Sequence, residues 1–140
     1  MNKILHLIPT LEGGGAEYQV VMLANQQAKL GLDVHVGIFR LGINASSINR
    51  NNVTLHKIKS KSMLSKSTIL SLSLLVKEIK PDLIQTWLPQ MDILGGLLSI
   101  RYSIPWVMTE RSSKKSYPSF SLRTLFRYSL SIFADADRKS

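Results

Sequence analysis

The sequence predicts an α/β fold built on a mostly parallel sheet, and three observations carry that expectation. Short apolar runs alternate along the chain with longer stretches of helical periodicity. The first run, Lys3 to Ile8, is apolar almost without interruption, as a strand covered on both faces must be. A glycine loop joins that run to the first helical stretch.

The elements follow in order. Pro9 closes the first strand, and after Thr10-Leu11-Glu12-Gly13-Gly14-Gly15 come Ala16, Val20, Leu23, Ala24 and Ala28 at helical spacing, with Gly31 as the left-handed stop. Asp33 to Phe39 alternates Val34, Val36 and Ile38 with His35 and Gly37, a second strand that completes a right-handed β-α-β unit. Leu41 to Arg50, rich in Gly, Asn and Ser, reads as a loop, and Val53 to Ile58 as a third strand. Ser67 or Thr68 is placed to cap a helix carrying Ile69, Leu72, Val76 and Ile79, which Pro81 ends. Leu83 to Trp87 forms a strand, Pro89 to Asp92 a polar turn, and Ile93 to Tyr102 a helix. The Gly95-Gly96 pair in that helix costs propensity and is expected to permit close packing on the sheet. Trp106 to Thr109 is the next strand, Arg111 to Ser121 a Ser/Lys-rich loop, and Leu122 to Phe133 a last amphipathic helix. With no repeat or linker in view, residues 1–140 read as one domain.

Composition removes several classes of function. The chain has no cysteine, which excludes disulfide frameworks, thiolate zinc sites and cysteine nucleophiles, and its three histidines, His6, His35 and His56, are spread over separate strands. No metal or other cofactor is expected. No run approaches the length of apolar sequence that a spanning helix needs, and the N-terminus lacks a signal-peptide pattern, so the chain reads as cytoplasmic. The net charge of +9 is uneven: the first 42 residues balance, while fifteen of the eighteen Lys and Arg and six of the nine Asp and Glu follow Gly42. Such an excess suits an anionic lipid surface, a phosphorylated ligand or nucleic acid. No aromatic-plus-basic RNA motif or recognition helix supports nucleic acid, which is not expected as a partner.

Gly13, Gly14 and Gly15 remove every Cβ where backbone N–H groups and the positive end of a helix converge, the arrangement an anionic phosphate needs. A tight turn without a ligand fits the same residues. The dinucleotide pattern fails, because its third glycine would fall on Tyr18 and the second strand ends near Arg40 rather than an acid. The ATPase phosphate-loop pattern fails as well, since no Gly-Lys-Ser/Thr follows at the required spacing.

Three segments carry a resemblance. Lys3-Ile-Leu-His-Leu-Ile-Pro-Thr-Leu-Glu-Gly-Gly-Gly-Ala-Glu17 resembles the opening of family 4 glycosyltransferases of the GT-B fold. Lys80-Pro-Asp-Leu-Ile-Gln-Thr-Trp-Leu-Pro-Gln-Met-Asp-Ile-Leu-Gly-Gly96 is similar to a segment of bacterial members that make cell-surface polysaccharides, and Thr109-Glu110-Arg111 falls where those carry an Arg-containing stretch. The resemblance implies a Rossmann-like, mostly parallel sheet with helices on both faces, the N-terminal, acceptor-side half of a GT-B enzyme. The family's C-terminal, donor-gripping half has no counterpart here. Phe133-Ala-Asp-Ala136 resembles the start of a further strand that is cut short, so a frameshift or truncation is expected.

The same resemblance implies retaining transfer of a sugar from a nucleotide-sugar donor to a lipid-linked or glycan acceptor in cell-envelope polysaccharide synthesis, inactive without the missing half. It would aim the amides of Gly13, Gly14 and Gly15 at the donor phosphates. Glu17 reads as a first-turn carboxylate favoured by the helix dipole and receives no catalytic role. Where members place an acceptor-side histidine, this chain has Gln85, Trp87 and Gln90.

Four further residues are candidates on the acceptor side. Trp87 stands at a strand's C-terminal end, where it would stack on the acceptor or fill the core. Asp92 would contact acceptor hydroxyls or, favoured by position, cap the helix beside it. Thr109 and Arg111 lie where a strand meets its loop, placed to hold a phosphate, with an exposed arginine in a basic loop as the plain alternative. Lys57, Lys59, Lys61 and Lys66 precede one amphipathic helix, and Lys114, Lys115, Arg123 and Arg127 surround another, which suits peripheral contact with the inner face of an anionic membrane. A non-catalytic basic module and a non-functional remnant are the competing readings.

Overall fold

The computed structural model describes residues 2–49, 51–59, 62 and 65–109. Five strands form one parallel sheet: β1 (Lys3–Leu7), β2 (Asp33–Ile38), β3 (Val53–Lys57), β4 (Leu83–Trp87) and β5 (Trp106–Thr109), in the order β3-β2-β1-β4-β5. Three α-helices connect them, α1 (Gly15–Lys29), α2 (Lys66–Ile79) and α3 (Pro89–Tyr102), and a short 3₁₀ helix spans Ile43–Ser47. The chain builds outward from β1 to β3, then crosses back through α2 to start β4 on the other side of β1. This reversal leaves a crevice beyond the C-terminal ends of β1 and β4, where open parallel sheets bind ligands.

Apolar runs in sequence become strands covered on both faces. Leu5 and Leu7 of β1 pack with α2 and α3, while Ile8, Val34, Val36 and Ile38 pack with Ala16, Val20, Leu23 and Ala24 of α1. All of these are buried, and each large aliphatic side chain so removed from water contributes roughly 2 kcal/mol. α1 stops as expected, with Gly31 at φ 93° just after the cap residue Leu30.

Two helix starts differ from expectation. The N-cap of α2 is Ser65, whose hydroxyl accepts from the Thr68 amide, so Ser67 and Thr68 already lie inside the helix. α3 begins at Pro89 rather than at Ile93, because proline suits the first position of a helix, whose N–H would have no intrahelical partner anyway. The expected loop Arg111–Ser121, the helix Leu122–Phe133 and the strand start at Phe133 lie outside the described residues.

The core is not wholly apolar. His6, fully buried in β1, accepts at Nδ1 from the Trp87 indole Nε1 at 3.1 Å and faces Gln27 Oε1 with Nε2 at 2.8 Å. An indole N–H can only donate, so Nδ1 is the acceptor and Nε2 carries the proton given to Gln27. Burial pushes the His6 pKa down to about 4, the Gln27 hydrogen bond opposing it in part. At the edge of the sheet His35 Nδ1 meets His56 Nε2 at 2.9 Å, and His35 Nε2 lies 3.1 Å from Asp33. The pKa of His56 is also lowered, first by burial and then by His35, with Glu78 acting the other way.

These shifts set the response to acid. The unfolded chain takes up protons at His6 from about pH 6.5 downward, while the folded chain resists until about pH 4, so stability is full above pH 6.5 and is lost as the pH falls through that window. The loss reaches about 3 kcal/mol, with His56 adding in the same direction. Urea midpoints measured from pH 7 to 4 are expected to fall accordingly. His6→Phe should flatten the curve while costing about 1–3 kcal/mol at pH 7, because Trp87 Nε1 loses its acceptor.

Candidate functional site

The loop between β1 and α1 is held from below by the segment after β2. Leu11 is buried, its carbonyl accepts from the Asn44 amide at 2.8 Å, and Asn44 Nδ2 donates to the Glu12 carbonyl at 3.0 Å. Gly42 permits this approach, since a Cβ there would collide with the backbone of Leu11 and Glu12. Across the mouth of the loop the exposed pair Arg40 and Glu12 stands at 3.8 Å.

Gly14 is the N-cap of α1 and offers no side chain to its amides. The first helical bond runs from the Tyr18 amide to the Gly14 carbonyl, so the preceding first-turn amides have no intrahelical acceptor. Glu17 lies in that first turn, as expected, and its carboxylate folds over Gly14 closely enough that a Cβ on Gly14 would strike Oε1. A negative charge thus sits at the positive helix end where a bound phosphate would compete for the same field.

On the other side of the crevice, β4 is followed by Leu88 with φ 77° and ψ 147°, a backbone region that non-glycine residues rarely enter. Thr86, buried in β4, accepts from Trp106 Nε1 at 2.9 Å and donates to Asp92 Oδ1 at 2.6 Å. The order of donation is fixed because the indole cannot accept. Gly95 makes room for this relay: a Cβ there would collide with Thr86 Cγ2 and come within 3.2 Å of Trp106 Nε1, and Gly96 lies against the same indole ring. The pair therefore does permit close packing on the sheet.

The acceptor-side candidates are sorted by this geometry. Trp87 is fully buried with its N–H given to His6, so the stacking role is replaced by a core role. Asp92 does not cap α3: the cap residue is Leu88, which makes no side-chain cap bond, and the Asp92 carboxylate lies a turn further on as the acceptor for Thr86. Thr109 is buried and accepts from Gln85 Nε2 at 2.8 Å, which turns its hydroxyl into the sheet rather than toward a phosphate. Arg111 lies outside the described residues, as do Lys61, Lys114, Lys115, Arg123 and Arg127. Of the three positions matched to a family histidine, Gln85 and Trp87 are core residues and Gln90 is exposed in the first turn of α3. The tethers Asn44 and Gly42 and the relay Trp106–Thr86 were not foreseen, although Gly42 beside Asn44 in a polar loop was a visible signal. Among the described residues no group of three His, Cys, Asp or Glu side chains is arranged to hold a metal ion.

A parallel sheet with its strand order reversing at β1/β4, and an uncapped glycine loop at the reversal, defines an α/β protein of the Rossmann-like kind. The chain belongs to Glycosyltransferase Family 4, whose sequence model matches residues 13–138. Among solved structures, HepE of Anabaena in complex with UDP and glucose superposes with a TM-score of 0.66 at 20% identity, covering 94% of this chain and 35% of that one. MurG of Acinetobacter baumannii gives 0.60 at 17% identity, covering 77% and 33%. Sucrose-phosphate synthase of Thermosynechococcus elongatus gives 0.63 at 12% identity, covering 92% and 40%. The chain thus spans between a third and two-fifths of the length of these GT-B structures, and the likeness is one of fold. Comparison with curated protein sequences returns no match.

Gly95→Ala is expected to destabilise the chain by about 1–3 kcal/mol through overpacking against Thr86 and Trp106, although alanine is the better helix former. Denaturant titration at neutral pH measures it, and a gain in stability would mean that the relay leaves room for a methyl group.

Proposed function

We propose that this chain is the acceptor-side half of a sugar transferase. It moves a sugar, with retention at the anomeric carbon, from a nucleotide-sugar donor to a lipid-linked or glycan acceptor at the inner face of the cell membrane, in cell-envelope polysaccharide synthesis. Family membership across residues 13–138 supports sugar transfer, and the UDP and glucose held by HepE favour a nucleotide-sugar as donor. The observation that carries the reading in this chain is the uncapped first turn of α1, opened by Gly13, Gly14 and Gly15 at the point where the strand order reverses.

The loop's contribution would be electrostatic. As the bond between sugar and diphosphate breaks, negative charge grows on the departing phosphate oxygen, and fixed amides with the helix end stabilise that charge without reorganising. Asp92, whose carboxylate accepts from the Thr86 hydroxyl, would accept from an acceptor hydroxyl as well. No covalent role falls to either group. The donor grip and the rest of the acceptor cleft belong to a second Rossmann-like half, so weak or no turnover is expected from these 140 residues alone.

Titration of the isotopically labelled chain with UDP and UDP-glucose, followed by NMR, tests the reading. The amides of Gly13, Gly14 and Gly15 should shift while those at the C-terminal end of α3 stay in place. Glu17→Gln should tighten binding by about two- to fivefold, since a competing charge at a helix end is worth roughly 0.3–1 kcal/mol. Loop amides that do not move at saturating UDP would remove the phosphate role.

A further inference from the structure

Opposite the crevice, where α2 and α3 finish and β4 and β5 begin, lies an open hollow of about 410 Å³ lined by Val76, Lys77, Lys80, Pro81, Tyr102 and Ile104. That volume falls within the range of small-molecule sites, roughly 300–1,000 Å³. Its floor is apolar: Val76 and Pro81 are buried, and Tyr102 and Ile104 are half-buried against the core cluster of α2 and α3. Its charged lining is entirely cationic. Lys77 and Lys80 are exposed, and next to them the Arg101 guanidinium stands over the Tyr102 ring at 5.1 Å. Among the described residues none of these cations has a carboxylate partner, the ion pairs being His35 with Asp33 and Arg40 with Glu12.

A cation near a helix C-terminus is favoured by the helix dipole, and Lys77 and Arg101 occupy the last turns of α2 and α3. Lys80 needs a further reason. It caps α2 with φ 55° and ψ 60°, a left-handed conformation that strains any residue with a Cβ and leaves glycine unstrained. α1 shows the unstrained solution, with Gly31 at φ 93° just after its cap. A lysine held in left-handed backbone instead keeps a charged side chain on the wall of the hollow, and strain of this kind points to function.

We infer that this hollow binds a small aromatic anion, a flat ring that carries a carboxylate or phosphate group directly. The ring lies on Val76, Pro81 and Ile104 beside Tyr102, and the anionic group meets Lys77 and Lys80. A neutral ring leaves the lysines unanswered, and a bare inorganic anion leaves the apolar floor wet, so a ligand with both parts is the one that uses the whole site. The hollow stands at the other end of the strands from the glycine loop, and its occupant is therefore a second ligand, distinct from a sugar donor or acceptor in the crevice. UDP, whose ring and phosphates are separated by a ribose, is not of this class.

NMR titration of the isotopically labelled chain with benzoate and phenyl phosphate, and with phenol and inorganic phosphate as the separate halves, tests this. The amides of Val76, Lys80, Tyr102 and Ile104 should shift with benzoate or phenyl phosphate, the tighter of the two naming the anionic group, and each half should bind at least about tenfold more weakly. Lys80→Gly should lower the affinity about fivefold while its urea midpoint stays level or rises, because glycine relieves the left-handed backbone. Lys29→Ala, exposed on α1, should bind like the parent. Phenol or inorganic phosphate binding as tightly as the aromatic anions overturns the class of ligand. No shift at these amides, shifts confined to Gly13, Gly14 and Gly15, or a Lys80→Gly variant that binds like the parent overturns the site. None of these outcomes bears on the UDP titration of the glycine loop, so the two proposals fail separately.

Discussion

The hydrogen-bonded column Gln27–His6–Trp87 ties together the three elements on which the crevice depends. His6 sits in the central strand, Gln27 on the helix that follows the glycine loop, and Trp87 at the end of the strand across the reversal of strand order. Because each ring nitrogen has a single partner of fixed sense, the column tolerates little rotation of α1 or sliding of β4 along β1. An apolar trio of similar volume would fill the space without specifying the register. Its cost is a histidine held neutral in the interior and a Gln27 Nε2 that finds no partner among the described residues, as Gln85 Oε1 of β4 finds none.

With the sheet fixed in this way, the two sides of the crevice are built by the same device, backbone brought closer than a side chain would permit. On the β1 side Gly42 lets the segment after β2 run under Leu11 and Glu12, so that Asn44 can stitch the loop from beneath. On the β4 side Gly95 lets α3 settle onto Thr86 and Trp106. In each case the glycine lies on the supporting element rather than in the site. The strained backbone at Leu88 belongs to the same construction, since it turns the chain from β4 directly into the proline-led first turn of α3.

Most of the fold was legible because buried parallel strands are largely apolar, which Lys3 to Ile8 shows almost without interruption and Asp33 to Phe39 shows by alternating Val34, Val36 and Ile38 with His35 and Gly37. The end of α1 was legible for a local reason, the left-handed glycine after Leu30. The start of α3 was misjudged because Pro89 reads equally as a turn or as the first residue of a helix, where its missing N–H costs no intrahelical bond. The acceptor side was less legible, since its contacts join residues far apart in sequence: Trp87 with His6, Thr86 with Trp106, Gln85 with Thr109. One signal was available for Trp87. Alternation along β4 puts Leu83, Gln85 and Trp87 on one face and Ile84 and Thr86 on the other, and a strand covered on both faces leaves neither set open to an acceptor.

On the proposed reading, the electrostatics of the crevice set how tightly these elements alone would hold a diphosphate. Both helices that open onto it begin with a carboxylate in the first turn, Glu17 on α1 and Asp92 on α3, and both helix ends therefore already hold negative charge. Arg40, exposed just beyond β2, has the Glu12 carboxylate beside it at 3.8 Å. Amides alone discriminate an anion by geometry, but they do not neutralise a diphosphate against two resident carboxylates. Cationic groups from outside the described elements would, on that reading, complete the neutralisation when the donor binds. On the proposed reading this division has a kinetic advantage: a loop that holds phosphate weakly by itself, and strongly only when a second body closes over it, stabilises the departing nucleotide during reaction and releases it when the cleft opens.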